Sequence, residues 1–278
     1  MPESLNQNFN HLKVHTQYSI CEGAAKIDDL QEFCKSNKII SLGISDTSNL
    51  CGALEFAEKI SKVGTQPIIG TQINFLHNNN IGKITLYATS ELGYKNLTKL
   101  SSLSFLRNES SHDPHCKIEE LISNNKDLIL LTGNHNNFFG KLFYSNKLNH
   151  LEKIISELKL AFENRLYLEI QRHGEVKEKA FENYLLKLSN KLNLPIIAGQ
   201  EVYYLVPAMS EAHDALICIG EKRFVEDKNR FKYSNQHYIK TTQEINKLYE
   251  DIPEALENNY NFPLRFNFKP KKSKPILP

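Results

Sequence analysis

The stretch His11–Gly23, His-Leu-Lys-Val-His-Thr-Gln-Tyr-Ser-Ile-Cys-Glu-Gly, predicts the first strand of the fold and the position of a functional site. On a strand, side chains alternate between faces, so His11, Lys13 and His15 share one face. Imidazoles grouped in this way are typical of a metal site, but an ammonium group between them repels a cation. The strand therefore predicts either a metal site or the remnant of one.

Helical and strand patterns alternate along the rest of the chain. Ile27, Leu30 and Cys34 recur at helical spacing, and Pro67 opens an apolar run typical of a strand. Helices are expected at 26–37, 52–63, 91–103, 151–164, 175–190, 209–219 and 242–249, with another beginning at 251–254. Strands are expected at 39–45, 66–75, 81–88, 128–132, 166–170 and 196–198. The alternation predicts parallel strands with right-handed crossovers, in a barrel or a doubly wound sheet.

Composition limits the possible partners and locations. The 278 residues carry a net charge of +2, too balanced for duplex binding by bulk electrostatics. The five cysteines are dispersed without a C-x-x-C pair, and the start lacks a signal-peptide pattern. These features predict a cytoplasmic protein with reduced thiols.

Polar side chains follow several of the expected strands, where chemistry collects in α/β folds. His15, Glu22, Asp46, His173 and Glu201 are the imidazole or carboxylate candidates. They are fewer than a multimetal hydrolytic centre requires. The simpler expectation is that His15 is a hydrogen-bonded histidine and that Asp46 caps the turn after its strand.

Other chemical motifs are weak. The run His112–Cys116 contains ligand-type residues but lies in a polar loop without a further partner, so chance explains it better than a site. Cys21 has no obvious neighbouring base for a nucleophilic role. The sequence contains no G-x-S-x-G, P-loop or G-x-G-x-x-G motif, which disfavours the hydrolase and nucleotide-binding folds that carry them.

Taken together, short motifs along nearly the whole chain resemble one family. They are His11–Ser19, Ser45–Gly52 (Ser-Asp-Thr-Ser-Asn-Leu-Cys-Gly), Gln66–Gly70 (Gln-Pro-Ile-Ile-Gly), Gly93–Leu97, Leu166–Ile170 (Leu-Tyr-Leu-Glu-Ile), Glu211–Asp214 and Asp251–Ala255. Their order and spacing resemble the amino-terminal PHP domain of the alpha subunit of bacterial DNA polymerase III, a replicative C-family polymerase. The resemblance implies an α/β fold, a single distorted (β/α)7 TIM-like barrel.

The resemblance also implies where metal ligands would lie. The family's His-x-His falls on Lys13 and His15, its next acidic ligand on Glu22, and its closing Asp-x-His on Glu201 and Tyr203. Its remaining positions fall on Thr47, Gln72, Asn134 and His173, of which only His173 keeps a strong ligand. We expect no metal here; if one binds, the candidates are His15, Glu22, His173 and Glu201. Lys13 paired with Glu22 or Glu201 is expected to replace the ion within a polar network.

The function implied by the resemblance is that of a noncatalytic domain of the replicative DNA-directed DNA polymerase. Such a domain supports the polymerase fold and docks the proofreading exonuclease, alongside other replicase subunits, the rest of alpha and DNA. It needs no cofactor of its own, whereas Mg²⁺ is implied for the palm domain, where nucleotidyl transfer takes place. The alternative is an active metal-dependent PHP phosphoesterase or 3′-5′ exonuclease; a free-standing metabolite phosphatase is a weaker third reading.

The chain is expected to divide near its end. Residues 1–268 form the PHP domain, and the basic, proline-containing residues 269–278 form a linker toward the absent palm. Contact between this tail and DNA is the other possibility, although the linker is favoured.

Overall fold

The computed structural model describes residues 8–106 and 113–272. The strands are β1 (Lys13–Val14), β2 (Ser41–Thr47), β3 (Gln66–His77), β4 (Asn80–Ala88), β5 (Cys116–Lys117), β6 (Leu128–Leu131), β7 (Leu166–Gln171), β8 (Ile196–Gly199) and β9 (Glu201–Val202). The helices are α1 (Ile27–Asn37), α2 (Ala53–Lys62), α3 (Glu91–Leu106), α4 (Ile118–Ser123), α5 (Phe138–Tyr144), α6 (Leu148–Phe162), α7 (Glu178–Leu192), α8 (Ser210–Glu221), α9 (Thr242–Leu248) and α10 (Pro253–Asn261). Within these residues, no helix is both long and apolar enough to cross a membrane.

The strands form one nine-stranded sheet that curves into a nearly closed barrel, in the order β8-β7-β6-β4-β3-β2-β1-β9 with β5 paired to β3. The last two strands are consecutive segments of the chain, separated by Gln200 alone. The first segment pairs with β7 and the second with β1, so together they bring the two ends of the sheet to one another. With β8 and β9 counted as one position and β5 set aside, the ring matches the expected (β/α)7 barrel.

One expected feature of the sheet is wrong. Strand β4 does not follow a crossover helix but returns directly from β3 through Asn78 and Asn79, which both have positive φ. It therefore runs antiparallel to β3 and to β6, and the sheet is mixed. Asparagine tolerates the left-handed region better than most residues, which suits this short turn. Strands β1, β2 and β3 pair in parallel, as expected.

The helices α4 and α5 and the short strand β5 were not expected from the sequence. All three are brief, and a single turn of apolar residues gives little periodic signal. The helices and strands that the sequence predicted are all present, with ends that differ by a few residues.

Side chains of the barrel alternate between its interior and the surrounding helices, as the pleat requires. Toward the amino end of the parallel strands, the interior is apolar and holds Ile68, Tyr87, Ile129, Tyr167 and Ile197. Phe262 and Phe266, which follow α10, pack into the same cluster and close this end. The polar interior residues lie toward the opposite end, where the parallel strands finish.

Candidate functional site

Lys13 is a charged side chain inside the barrel, only 1% exposed. Its Nζ lies 3.4 Å from Oε2 of Glu169 and 3.5 Å from Oε1 of Glu201. Strand β1 places Lys13 directly opposite Glu201 on β9, so this pairing follows from strand register. The ammonium group thus bridges two buried carboxylates, and Glu201 is one of the two partners predicted for it.

Glu201 is the centre of the polar network. Its Oε1 accepts hydrogen bonds from Gln72 at 2.6 Å and pairs with Nε2 of His15 at 3.1 Å, while Oε2 accepts from Asn134 at 3.0 Å. Tyr203 stacks on His15, with 4.5 Å between ring centroids. Hydrogen-bonding side chains and one lysine therefore surround a carboxylate that would otherwise be costly to bury.

The two carboxyl groups beside Lys13 differ electrostatically. Burial alone would raise the pKa of Glu201, but Lys13 and His15 hold the pKa well below its usual range. Burial raises the pKa of Glu169, and the nearby Lys13 offsets this only in part. Glu201 is therefore the anionic partner of Lys13, and Glu169 is the carboxyl that accepts a proton more readily.

Glu22 belongs to a second group at the mouth of the barrel and does not pair with Lys13, which corrects that part of the prediction. Its Oε1 lies 2.7 Å from Nζ of Lys83, and its Oε2 accepts a hydrogen bond from Thr47. Burial opposes the charged form, yet Lys83 lowers the pKa of Glu22. Lys13 pairs instead with Glu169 and with Glu201, its register partner on β9.

His173 lies behind the network and is almost fully buried. Its Nε2 accepts a hydrogen bond from the backbone N–H of Glu201 at 3.2 Å, and its Nδ1 lies 3.2 Å from Glu178. Burial and the neighbouring His237 lower the pKa of His173 to about 4. The imidazole is therefore neutral and supports β9 from outside the network.

The structure brings the family positions to one end of the barrel, grouped around Glu201 or Glu22. They are Lys13, His15, Glu22, Thr47, Gln72, Asn134, His173, Glu201 and Tyr203. Their origin as metal-ligand positions stays a prediction.

The predicted role of His15 is confirmed, whereas that of Asp46 is wrong. His15 is fully buried and hydrogen-bonded to Ser19 and Glu201, as expected of a structural histidine. Asp46 does not cap the turn after its own strand, because its carboxylate accepts from the backbone N–H of Thr16 and from the Ser19 hydroxyl. It thus stabilises the turn after β1.

In the run 112–116, His112 lies outside the described residues, and His115 Nδ1 contacts the Asp113 carbonyl.

Glu169 and Lys83 belong to the site but were not predicted from the sequence. Glu169 lies in the family motif Leu166–Ile170, and its spacing from Gln171 places both on the inward face of β7. Period-two spacing was the signal that could have identified it. Lys83 reaches the mouth only because β4 is antiparallel; a parallel strand would place this early residue at the opposite end of the barrel.

These residues do not suit a metal at the position that the resemblance implies. The amine of Lys13 occupies the space beside both carboxylates and carries the charge that an ion would supply. His15 and Glu201 are directed at one another, and Thr47, Gln72 and Tyr203 are weak ligands for zinc or manganese. No chemical step through a metal follows from this arrangement.

Comparisons with known proteins agree with the resemblance in the sequence. Residues 11–173 match the family model described as the PHP domain. The DNA polymerase III subunit alpha of Caulobacter vibrioides is 33% identical and aligns with 100% of this chain and 25% of its own length. That of Rickettsia bellii is 34% identical over 99% of this chain and 24% of its own length.

The chain thus spans about a quarter of the length of these curated relatives. Among solved structures, an amidohydrolase from Chromobacterium violaceum aligns with 70% of this chain and 87% of its own, at 10% identity and a TM-score of 0.46.

Proposed function

This chain belongs to the PHP domain family, and from that premise we propose that it serves a replicative DNA polymerase as a noncatalytic domain. In this role, the barrel is a structural support for the alpha subunit, and the former metal site is a buried polar network. Similarity to alpha subunits over nearly the whole chain supports this assignment. A cytoplasmic location is part of the same proposal.

The contact that carries the proposal is the bridge from Lys13 to Glu169 and Glu201. A metal-dependent phosphoesterase needs an ion that activates water beside the substrate. Here the ammonium group lies beside both carboxylates, which supports the proposal, because an ammonium group offers neither an open coordination site nor a bound hydroxide. The network instead ties β1, β7 and β9 together at the end of the barrel.

The partners in the proposal are the remainder of the alpha subunit, the proofreading exonuclease and other replicase subunits. Contact with DNA occurs through the complete polymerase. Nucleotidyl transfer, with its Mg²⁺ ions, belongs to a palm domain outside this chain, so the chain alone should not extend a primer.

Activity assays test the noncatalytic role. The purified chain is incubated with single-stranded DNA carrying a mismatched 3′ end, and with a chromogenic phosphoester, in the presence of Mn²⁺ or Zn²⁺. We expect no turnover above a no-protein control. Hydrolysis that is abolished by His15→Ala would instead establish the metal-dependent phosphoesterase or 3′-5′ exonuclease.

Docking needs a separate assay. The chain is immobilised and mixed with the purified exonuclease subunit of the same replicase, and we expect saturable binding that an unrelated barrel protein does not show. Absence of binding would remove the docking role while leaving the structural role to be judged from the activity assays.

A further inference from the structure

A cluster of one imidazole and two carboxylates lies beside the network but shares none of the family ligand positions. It consists of His135 after β6, Glu175 in the loop after β7 and Glu178 at the start of α7. One nitrogen or oxygen atom from each of these side chains lies within 4.8 Å of those from the other two. His135 and Glu178 are buried, whereas Glu175 is partly exposed and lines a cavity of about 210 Å³ at the mouth of the barrel. The cluster is therefore fixed within the protein yet open to solvent on one side.

The backbone around the loop after β7 holds the two carboxylates near one another. Glu178 accepts hydrogen bonds from the backbone N–H groups of His173 at 2.8 Å and Glu175 at 3.0 Å. Between them, Gly174 has a φ of +78°, which a glycine adopts without strain. The loop is thus folded back on the start of α7, and outer contacts of this kind are a general part of metal sites, where they orient the ligands.

The charges of the cluster are not balanced by basic side chains. Two carboxylates this close repel each other unless a cation lies near both. In the polar network that cation is Lys13, which bridges Glu169 and Glu201. In the part of the chain that the structure describes, no lysine or arginine lies within 4.0 Å of Glu175 or Glu178, and their ion-pair partners are imidazoles alone. A divalent ion between the two carboxylates would supply the missing positive charge.

The ring of His135 can offer a ligand atom to the same ion. Its Nε2 lies 3.0 Å from Oε2 of Glu175. Its Nδ1 is buried without a hydrogen-bond partner among the described residues, so the imidazole can carry its hydrogen there and present the lone pair of Nε2. Atoms bound about 2.0–2.2 Å from one ion lie about 3–4.4 Å apart, and small side-chain rotations bring the three groups into that range.

We propose that His135, Glu175 and Glu178 bind one divalent first-row ion, such as Mn²⁺ or Zn²⁺, with solvent completing its coordination. One imidazole and two carboxylates suit these ions, whereas magnesium and calcium prefer oxygen ligands alone. This site is displaced from the position occupied by Lys13 and is independent of the noncatalytic role proposed above.

Titration of the untagged complete chain with MnCl₂ tests the proposal, after treatment with a chelator and its removal. Manganese is the probe because the chain has five free cysteines, and thiolates take up zinc more readily than manganese. The loss of the electron paramagnetic resonance signal of free Mn²⁺ counts the bound ions, and we expect one per chain. Glu175→Gln keeps the shape of the side chain but removes its charge, and we expect it to weaken binding at least tenfold. His135→Phe keeps a flat ring beside Tyr144 without a lone pair, and it should give the same loss.

Glu22→Gln is the matched control, because Glu22 is a partly exposed carboxylate at the same mouth but has Lys83 as its cation. This variant should bind Mn²⁺ with unchanged affinity, and circular dichroism of all three variants establishes that they are folded. Binding that survives both Glu175→Gln and His135→Phe would overturn the proposed site. A loss that Glu22→Gln reproduces would also overturn it, and would place the ion at the position that the resemblance implies. Absence of Mn²⁺ binding up to millimolar concentration would overturn it as well, without bearing on the noncatalytic role.

Discussion

Lys13 has almost no contact with solvent and takes part in the ion pairs that define the network. A buried ion pair adds little stability over an apolar replacement of both partners, but removing one partner leaves the other charge unpaired in a dry environment. The sequence predicted that Lys13 belongs to this network. Its partner Glu169 was not, because strand periodicity gives the face of a side chain but not its neighbour across the barrel.

Lys13→Met keeps the length of the side chain and removes its charge. We expect the free energy of unfolding to fall by about 3–5 kcal/mol, because the Glu201 carboxylate stays buried without its cation. Urea denaturation followed by circular dichroism measures the change. Lys59→Met removes a more exposed lysine that pairs with Asp28 and Glu55, and it should cost much less stability, because solvent screens these pairs. Equal losses in the two variants would contradict the special role of Lys13.

The lowered pKa of His11 predicts how the free energy of unfolding depends on pH. Burial lowers the pKa of His11 from 6.5 to about 4, while its Nε2 donates to the Lys240 carbonyl and Lys240 and Glu244 are the nearby charges. Between these two pH values the unfolded chain takes up a proton that the folded chain does not. Stability contributed by His11 is therefore complete above pH 6.5 and lost as the pH falls toward 4.

His11→Gln should flatten this dependence. A histidine with a lowered pKa changes the free energy of unfolding by up to about 1.4 kcal/mol per pH unit. Between pH 6.5 and 4, the free energy of unfolding of the variant should therefore fall by about 3 kcal/mol less than that of the original chain. Urea midpoints at half-unit pH intervals measure the two slopes. Identical slopes would show that His11 titrates normally in the folded protein.

At the scale of elements, the hairpin of β3 and β4 differs most from expectation. The two strands pair from Gly70 with Tyr87 to His77 with Asn80. Apolar periodicity predicted both strands because each has a buried face, but it carries no information about direction. The short Asn78–Asn79 turn was the available signal, since two residues cannot include a crossover helix. Because this turn was not recognised, the position of Lys83 at the site was not predicted either.

Gly82 on β4 allows α5 to lie against the hairpin. A Cβ at this position would lie 2.6 Å from Cα and 2.7 Å from the backbone nitrogen of Phe138. Gly82→Ala should therefore cost about 1–3 kcal/mol through displacement of the helix start, measured by thermal denaturation. Gly174→Ala is the comparison, because its new Cβ meets no atom within 4 Å and only its positive φ adds strain, about 1 kcal/mol. A larger loss at Gly174 would contradict the packing explanation.

At the scale of the whole molecule, residues from the two ends of the chain complete one barrel. Asn10 and Asn259 exchange hydrogen bonds across 249 residues of sequence, and α10 packs against β8. Alternating elements and the family motifs predicted a barrel. They did not predict its closure by residues after α10, because Phe262 and Phe266 lie in no periodic segment.

Phe262→Ala tests this closure. The ring is 1% exposed and contacts Tyr87 and Tyr167 inside the barrel, so its loss should cost about 3–5 kcal/mol. Leu264→Ala, in the same short 3-10 helix but 83% exposed, should change stability by less than about 0.5 kcal/mol. Denaturant titrations of both variants, followed by tyrosine fluorescence and circular dichroism, provide the comparison. Equal stability of the two would mean that the base of the barrel closes without Phe262.

The pairing of Lys13 with Glu201 also bears on the order of events during protein synthesis. The lysine is made near the start of the chain, and its partner is made 188 residues later. At about 5–20 residues per second, a ribosome needs about 10–40 s to synthesise the intervening segment. Until its other partner Glu169 is made, 156 residues after Lys13, the ammonium group has neither carboxylate to pair with and stays hydrated. The first strand can therefore take its final place only after most of this domain has emerged from the ribosome.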